Sequence, residues 1–169
     1  MILVAIIDLQ DRLVPAMSGS QDMVAAAGRL IAGAREFGHG LVVTEQNPDK
    51  LGGTVPDLGV AAGGALSKMS FDASAEILGA ATSDPEAVVI AGCEAHICVR
   101  QTVRGLRARG IRVIVAADAI GSRKEIDYRT AVQSMQAMGA ELETVESILF
   151  DWLGTAEHDS FRTISRLIR

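Results

Sequence analysis

Short, unbroken apolar runs alternate along the chain with longer stretches in which apolar residues recur every three or four positions. Ile2 to Ile7 is six apolar residues in a row, the pattern of a central parallel strand covered on both faces. From Ser20 to Phe37 the residues Met23, Val24, Ala27, Leu30, Ile31 and Ala34 form one stripe, which predicts a helix. Gly38-His39-Gly40 ends it, and Leu41–Thr44 is a second strand. Residues 46–64 are rich in Gly, Pro and Asp, so a loop is expected there, with one short helix around Val55–Gly59. Helices are then expected at Ala73–Ala81, Ala95–Arg109 and Asp127–Met138, alternating with strands at Val88–Ala91, Arg112–Ala116 and Glu141–Val145. Ser147–Leu153 and Asp159–Ile168 complete the chain as helices. Strands and helices in strict alternation imply right-handed crossovers between parallel strands. The expected fold is therefore a three-layer α/β/α sandwich with a mainly parallel sheet.

In such folds ligands bind beyond the carboxyl ends of the strands. Asp8 ends the first strand, Thr44-Glu45-Gln46 the second, Gly92-Cys93-Glu94 the third, and Asp118 follows the fourth. Each end thus carries a polar or reactive group. Cys98 falls in the first turns of the helix after Gly92, where the helix dipole favours a thiolate. Core packing is the commoner fate of a cysteine, and Cys93 is read as packing. Lys68 lies in the largely apolar Leu66-Ser67-Lys68-Met69-Ser70-Phe71, although a lone lysine more often lays its stem on the surface. Asp8, after six apolar residues, needs a partner if it is buried. A buried Asp–Lys pair beside a thiol would supply one, with the carboxylate placed to take the thiol proton.

Length and charge narrow the classes. The 169 residues suffice for one domain spanning 1–169, and a net charge of −5 argues against a nucleic-acid surface. Arg100, Arg104, Arg107, Arg109 and Arg112 recur at roughly helical spacing and read as a solvated face. The N-terminal apolar run is too short for a membrane span or a signal sequence, and two cysteines five apart suit a reducing compartment, so a cytoplasmic protein is expected. His39, His96 and His158 share no ligand spacing, so no metal or other cofactor is expected.

Four segments, Ile7-Asp8-Leu9-Gln10-Asp11, Thr44-Glu45-Gln46-Asn47-Pro48, Lys68-Met69-Ser70-Phe71 and the run from Ala91 to Thr102, together resemble the isochorismatase-like cysteine hydrolases. Ala117-Asp118-Ala119 with Ser122-Arg123 extends the resemblance. It implies an Asp8–Lys68–Cys98 triad and a cis peptide at Cys93–Glu94. It also implies an oxyanion hole from the amides of Glu94 and Cys98. Gln10, Gln46 and Phe71 are candidates to line a substrate pocket, core packing being as good a reading for Phe71. His96 is as consistent with a surface position as with substrate contact. The nicotinamidase branch carries an Asp and two His after its second strand; Thr44 to Lys50 here holds no histidine, which argues against zinc and nicotinamide. Isochorismatases proper cleave a vinyl ether without a cysteine nucleophile, so Cys98 points elsewhere. The resemblance is strongest to a metal-free isochorismatase-domain subgroup.

The expected activity is hydrolysis of a C–N bond in a small amide through an acyl-enzyme. The alternatives are an ester or vinyl ether hydrolase, or a non-catalytic thiol-redox or binding module. A homo-oligomer is expected, because Phe150, Trp152, Leu153, Phe161, Ile164, Leu167 and Ile168 give the C-terminal end an apolar excess, unless they pack onto their own fold.

Overall fold

The computed structural model describes residues 1–61 and 63–169. Its six strands are β1 (Ile2–Ile7), β2 (Gly40–Gln46), β3 (Leu66–Lys68), β4 (Ala87–Gly92), β5 (Arg112–Ile120) and β6 (Glu141–Glu143). They form one all-parallel sheet in the order β3-β2-β1-β4-β5-β6. Seven helices connect or follow them: α1 (Ser20–Glu36), α2 (Pro48–Leu51), α3 (Ser74–Ala80), α4 (Arg100–Ala108), α5 (Glu125–Ala137), α6 (Val145–Leu153) and α7 (Phe161–Leu167).

The alternation of side chains along β1 shows why its run is apolar throughout. Val4 and Ile6 join α1, α6 and α7 on one face, where Leu30, Leu149 and Ile164 are buried. Leu3, Ala5 and Ile7 point to the other face, against Ile77 of α3, Val103 and Leu106 of α4 and Met135 of α5. Two cores on one sheet make the expected three-layer sandwich.

Differences from the sequence reading are local. Strand β3 was not expected: three residues with a serine at the centre give no periodic signal. Within the loop expected over residues 46–64, the short helix expected around Val55–Gly59 is present as a 3₁₀ turn at Pro56–Leu58, whereas α2 was not expected; Ala62 lies outside the described residues. The helix expected to begin at Ala95 starts instead with a π-helical turn at Ala95–Val99, in which the Arg100 N–H reaches the Ala95 carbonyl. Such wide turns are frequent at functional sites. The C-terminal apolar residues mostly pack onto their own fold. Leu153 and Ile164 are buried, Trp152, Phe161, Leu167 and Ile168 lie against the α1-side core, and Phe150 alone of the set is exposed. The arginines read as a solvated face are partly used internally, Arg107 of α4 bonding the Met138 and Ile111 carbonyls and Arg109, just past α4, the Ser74 hydroxyl. Among the described residues, no helix is long and apolar enough to cross a membrane.

Gly92 is required where β4 passes β1. It pairs with Ile7, adopts φ 148°, and a Cβ there would overlap the Ile7 carbonyl oxygen. That close approach lets the Cys93 N–H donate to the same oxygen at 2.9 Å.

At the amino edge of the sheet, His39 stacks on Phe37 with ring centres 5.9 Å apart and meets the edge of Trp152 at 4.5 Å. Its Nε2 is buried without a hydrogen-bond partner, and burial, with the N-terminal ammonium nearby, lowers its pKa below 6.5. The folded state therefore favours neutral imidazole. Its contribution is complete above pH 6.5 and is lost as pH falls from there through the lowered folded value. Urea midpoints measured from pH 7.5 down to 5 are expected to fall, and His39→Gln to flatten that dependence. An unchanged slope in the variant would refute the assignment.

Candidate active site

Asp8, Asn47 and Glu94 are the non-glycine residues with left-handed backbone among those described, at φ 53°, 39° and 55°. Each lies just past the carboxyl end of a strand, β1, β2 or β4. Conformations of this kind cost of order 1–3 kcal/mol each and persist where surrounding structure enforces them, often at functional sites. Here they turn the chain sharply at the edge where the candidate residues gather.

Asp8 and Lys68 are completely buried, both side chains at 0% exposure, and Lys68 Nζ lies 2.7 Å from Asp8 Oδ2. The sheet makes this contact possible. Ile7 is in register with Thr44, and Gln46 with Lys68, so the lysine at the end of edge strand β3 reaches across β2 to the residue after β1. The ammonium has three donors, and three acceptors surround it: Asp8 Oδ2, Gln46 Oε1 at 2.7 Å and the Ser70 carbonyl at 3.2 Å. Asp8 Oδ1 accepts from the Thr44 hydroxyl at 2.8 Å. The carboxylate is thus charge-compensated and fixed in orientation.

Cys98 is 3% exposed and completes the group. Burial first, then the negative charge of Asp8, pushes its thiol up to about 12; a hydrogen bond to Asp8 and the charge of Glu94 act the same way, and Lys68 opposes them. The sequence reading expected a helix dipole to favour the thiolate; desolvation and the facing carboxylate outweigh it. At neutral pH Cys98 therefore stays a thiol beside the Asp8 carboxylate. Cys93 is buried in the α1-side core, its thiol also pushed up by burial, and it packs as expected.

The other candidates divide. Gln10 is fully buried, accepting from the Gln46 N–H and donating to the carbonyls of Gln46 and Gly52 at 3.0 and 2.7 Å. It braces the loop after β2 and leaves neither N–H for a substrate. Gln46 donates to the Met69 carbonyl while accepting from Lys68, so it orients the lysine. Phe71 is 50% exposed at the rim, beside exposed Met69 and Leu66. His96 is half-buried, with Nδ1 3.0 Å from the Ser122 hydroxyl. Sequence reasoning did not single out Thr44 for the Asp8 contact; the signal available was a hydroxyl at the strand position paired with Ile7.

The expected cis bond is not adopted: no cis peptide occurs among the described residues, and Cys93–Glu94 is trans. Gly92 at φ 148° and Glu94 at φ 55° make the turn without it. The Ala95 N–H to the Gly121 carbonyl, 2.7 Å, ties it to the loop after β5. Among the described residues no three His, Cys, Asp or Glu side chains are grouped to hold a metal ion.

A parallel sandwich that gathers a thiol, a carboxylate and an ammonium at the carboxyl edge of its sheet has the makeup of a hydrolase. The sequence profile of the isochorismatase domain matches residues 1–147, and the chain belongs to the isochorismatase-domain family, whose members are generally hydrolases. It is 34% identical over 166 residues to isochorismatase domain-containing protein 1 of Salmo salar, covering 96% of this chain but 59% of that protein. With isochorismatase domain-containing protein 2 of Danio rerio it shares 32% identity over 164 residues, covering 95% and 83%. Among solved structures, that of the MAR1 ribonuclease of Caenorhabditis elegans superposes with a TM-score of 0.89 at 30% identity, covering 99% of this chain and 88% of that one.

Proposed function

We propose that the protein hydrolyses a C–N bond of a small amide through a covalent acyl-enzyme on Cys98. The observation that carries this reading is the Asp8 carboxylate, held by a fully buried Lys68 and faced by the protonated Cys98 thiol. A thiol with so high a pKa reacts only if its proton leaves as the sulfur attacks. Asp8 takes that proton, and the Lys68 ammonium at 2.7 Å balances and orients the carboxylate. As Sγ bonds to the carbonyl carbon, negative charge develops on the oxygen, and the Cys98 N–H in the π-helical turn is the donor assigned to it. Asp8 returns the proton to the departing amine, leaving a thioester. Water, deprotonated by Asp8, then releases the acid and restores the thiol.

An ester would follow the same course. A redox or sensor role fits poorly, because such a thiol is exposed and of low pKa, and Cys98 is neither. Ribonuclease chemistry, the activity named for the nematode relative, sits badly with a net charge of −5. The reading includes a small-molecule substrate, a cytoplasmic location and a homo-oligomer whose contacts cover exposed apolar side chains such as Met69 and Phe71.

The test is intact-protein mass spectrometry with a panel of slow small amides and esters. An adduct of acyl mass mapping to Cys98 is expected, with turnover abolished in Cys98→Ala. Full turnover in that variant would end the proposal.

A further inference from the structure

Glu94 opens the π-helical turn that carries Cys98, and its side chain is only 10% exposed. A carboxylate so deep needs cationic partners. Its Oε1 lies 3.0 Å from Arg123 Nε. Its Oε2 has no hydrogen-bond partner and lies 3.5 Å from His96 Nδ1. The proposed hydrolysis uses none of these side chains.

Arg123 is the exposed member of the group, at 52%, and among the described residues Glu94 is its one acidic neighbour within 4.0 Å. A guanidinium held through Nε keeps its two terminal NH₂ groups for another acceptor, and that planar fork matches a carboxylate. Arg100 is tied to the same turn, its Nε donating to the His96 carbonyl at 3.2 Å, and Lys124 is exposed beside Arg123. The nearby opposing charges are Asp127, 4.0 Å from His96 Nε2, and exposed Glu125. An acidic chain thus sets three cations around the turn that bears its nucleophile, one of them oriented by a buried carboxylate.

We propose that Arg123, oriented by Glu94, anchors a carboxylate on the substrate, so that the amides hydrolysed are small acids with the carboxylate remote from the scissile bond. This rests on the reading of Cys98 as nucleophile and narrows its substrate class. Glu94 is the positioning residue: it lies close enough to Cys98 for its charge to act on the thiol, and it fixes the guanidinium at the margin of the site.

Binding of succinamate and of its neutral isostere succinamide to the Cys98→Ala protein, followed by calorimetry, tests the anchor without requiring turnover. Succinamate is expected to bind at least about tenfold more tightly than succinamide, the effect of one charge-assisted contact. Adding Arg123→Gln should remove that preference and leave succinamide unchanged, and Arg123→Lys should restore only part of it. Glu94→Gln makes the region more positive, yet should weaken succinamate, because the fork is no longer held. Succinamate binding that is absent, unaffected by Arg123→Gln, or tightened by Glu94→Gln would overturn the anchor. A wild-type Cys98 that forms no acyl adduct, with succinamate binding still dependent on Arg123, would keep the anchor and reject the hydrolase reading.

Discussion

Replacing Lys68 by methionine is expected to destabilise the fold by about 3–5 kcal/mol, because it leaves the fully buried Asp8 carboxylate without its counter-charge. For a chain of this length that is a fall in Tm of roughly 6–20 °C. The Thr44 hydroxyl remains as one neutral donor to Asp8, too little to compensate for the ammonium. The cost arises from an unpaired buried charge, so removing both charges should be milder than removing one. Asp8→Asn/Lys68→Met is expected to recover much of the loss, with a coupling near the upper end of the roughly 0.5–3 kcal/mol found for residues in contact. Thermal unfolding of the two single variants and the double variant measures it. Additive effects would mean that the pair is not the compensated ion pair described here.

The second large effect separates acidity of the thiol from catalysis. Asp8→Asn removes the charge that, after burial, does most to hold the Cys98 thiol up, while Lys68, which acts in the opposite direction, remains. The thiolate should therefore form at lower pH, and iodoacetamide should alkylate Cys98 faster in the variant than in the wild type at pH 8. In the wild type the alkylation rate should still be climbing at pH 10, without the plateau of an ordinary thiol near 8.5. Under the proposed mechanism hydrolysis should move the other way, with kcat falling about 10²–10⁴-fold as the proposed general base is lost. Both quantities falling together would assign Asp8 a structural role only.

How much of this was legible in the sequence depends on the kind of interaction. Ile2–Ile7 announces a strand covered on both faces because burial on both sides leaves no polar position to interrupt the run. The Asp8–Lys68 pair was readable because a carboxylate and an ammonium in apolar surroundings have few ways to be satisfied other than by each other. The use of Gln10 and Gln46 was not: a buried amide that braces carbonyls of distant segments carries the same letter as one facing a substrate. The state of Cys98 was misjudged for a similar reason. A helix start is visible in sequence, but the depth of burial and the carboxylate facing the sulfur belong to the tertiary structure. Strand β3 carried no periodicity, yet its register with Gln46 is what delivers Lys68 to the site.

The aromatic cluster of Phe37, His39 and Trp152 has a spectroscopic consequence. Trp152 is the only tryptophan in the chain, and it sits at the amino edge of the sheet, across the domain's thickness from Cys98 at the carboxyl edge. Its emission therefore follows the seating of α6 against the end of α1 and the protonation of His39, and stays silent to chemistry at the thiol. A tryptophan introduced in place of Phe71 would give the opposite edge its own signal, so that one protein could report events at the two edges, the far one being release of α6, as two separate optical changes.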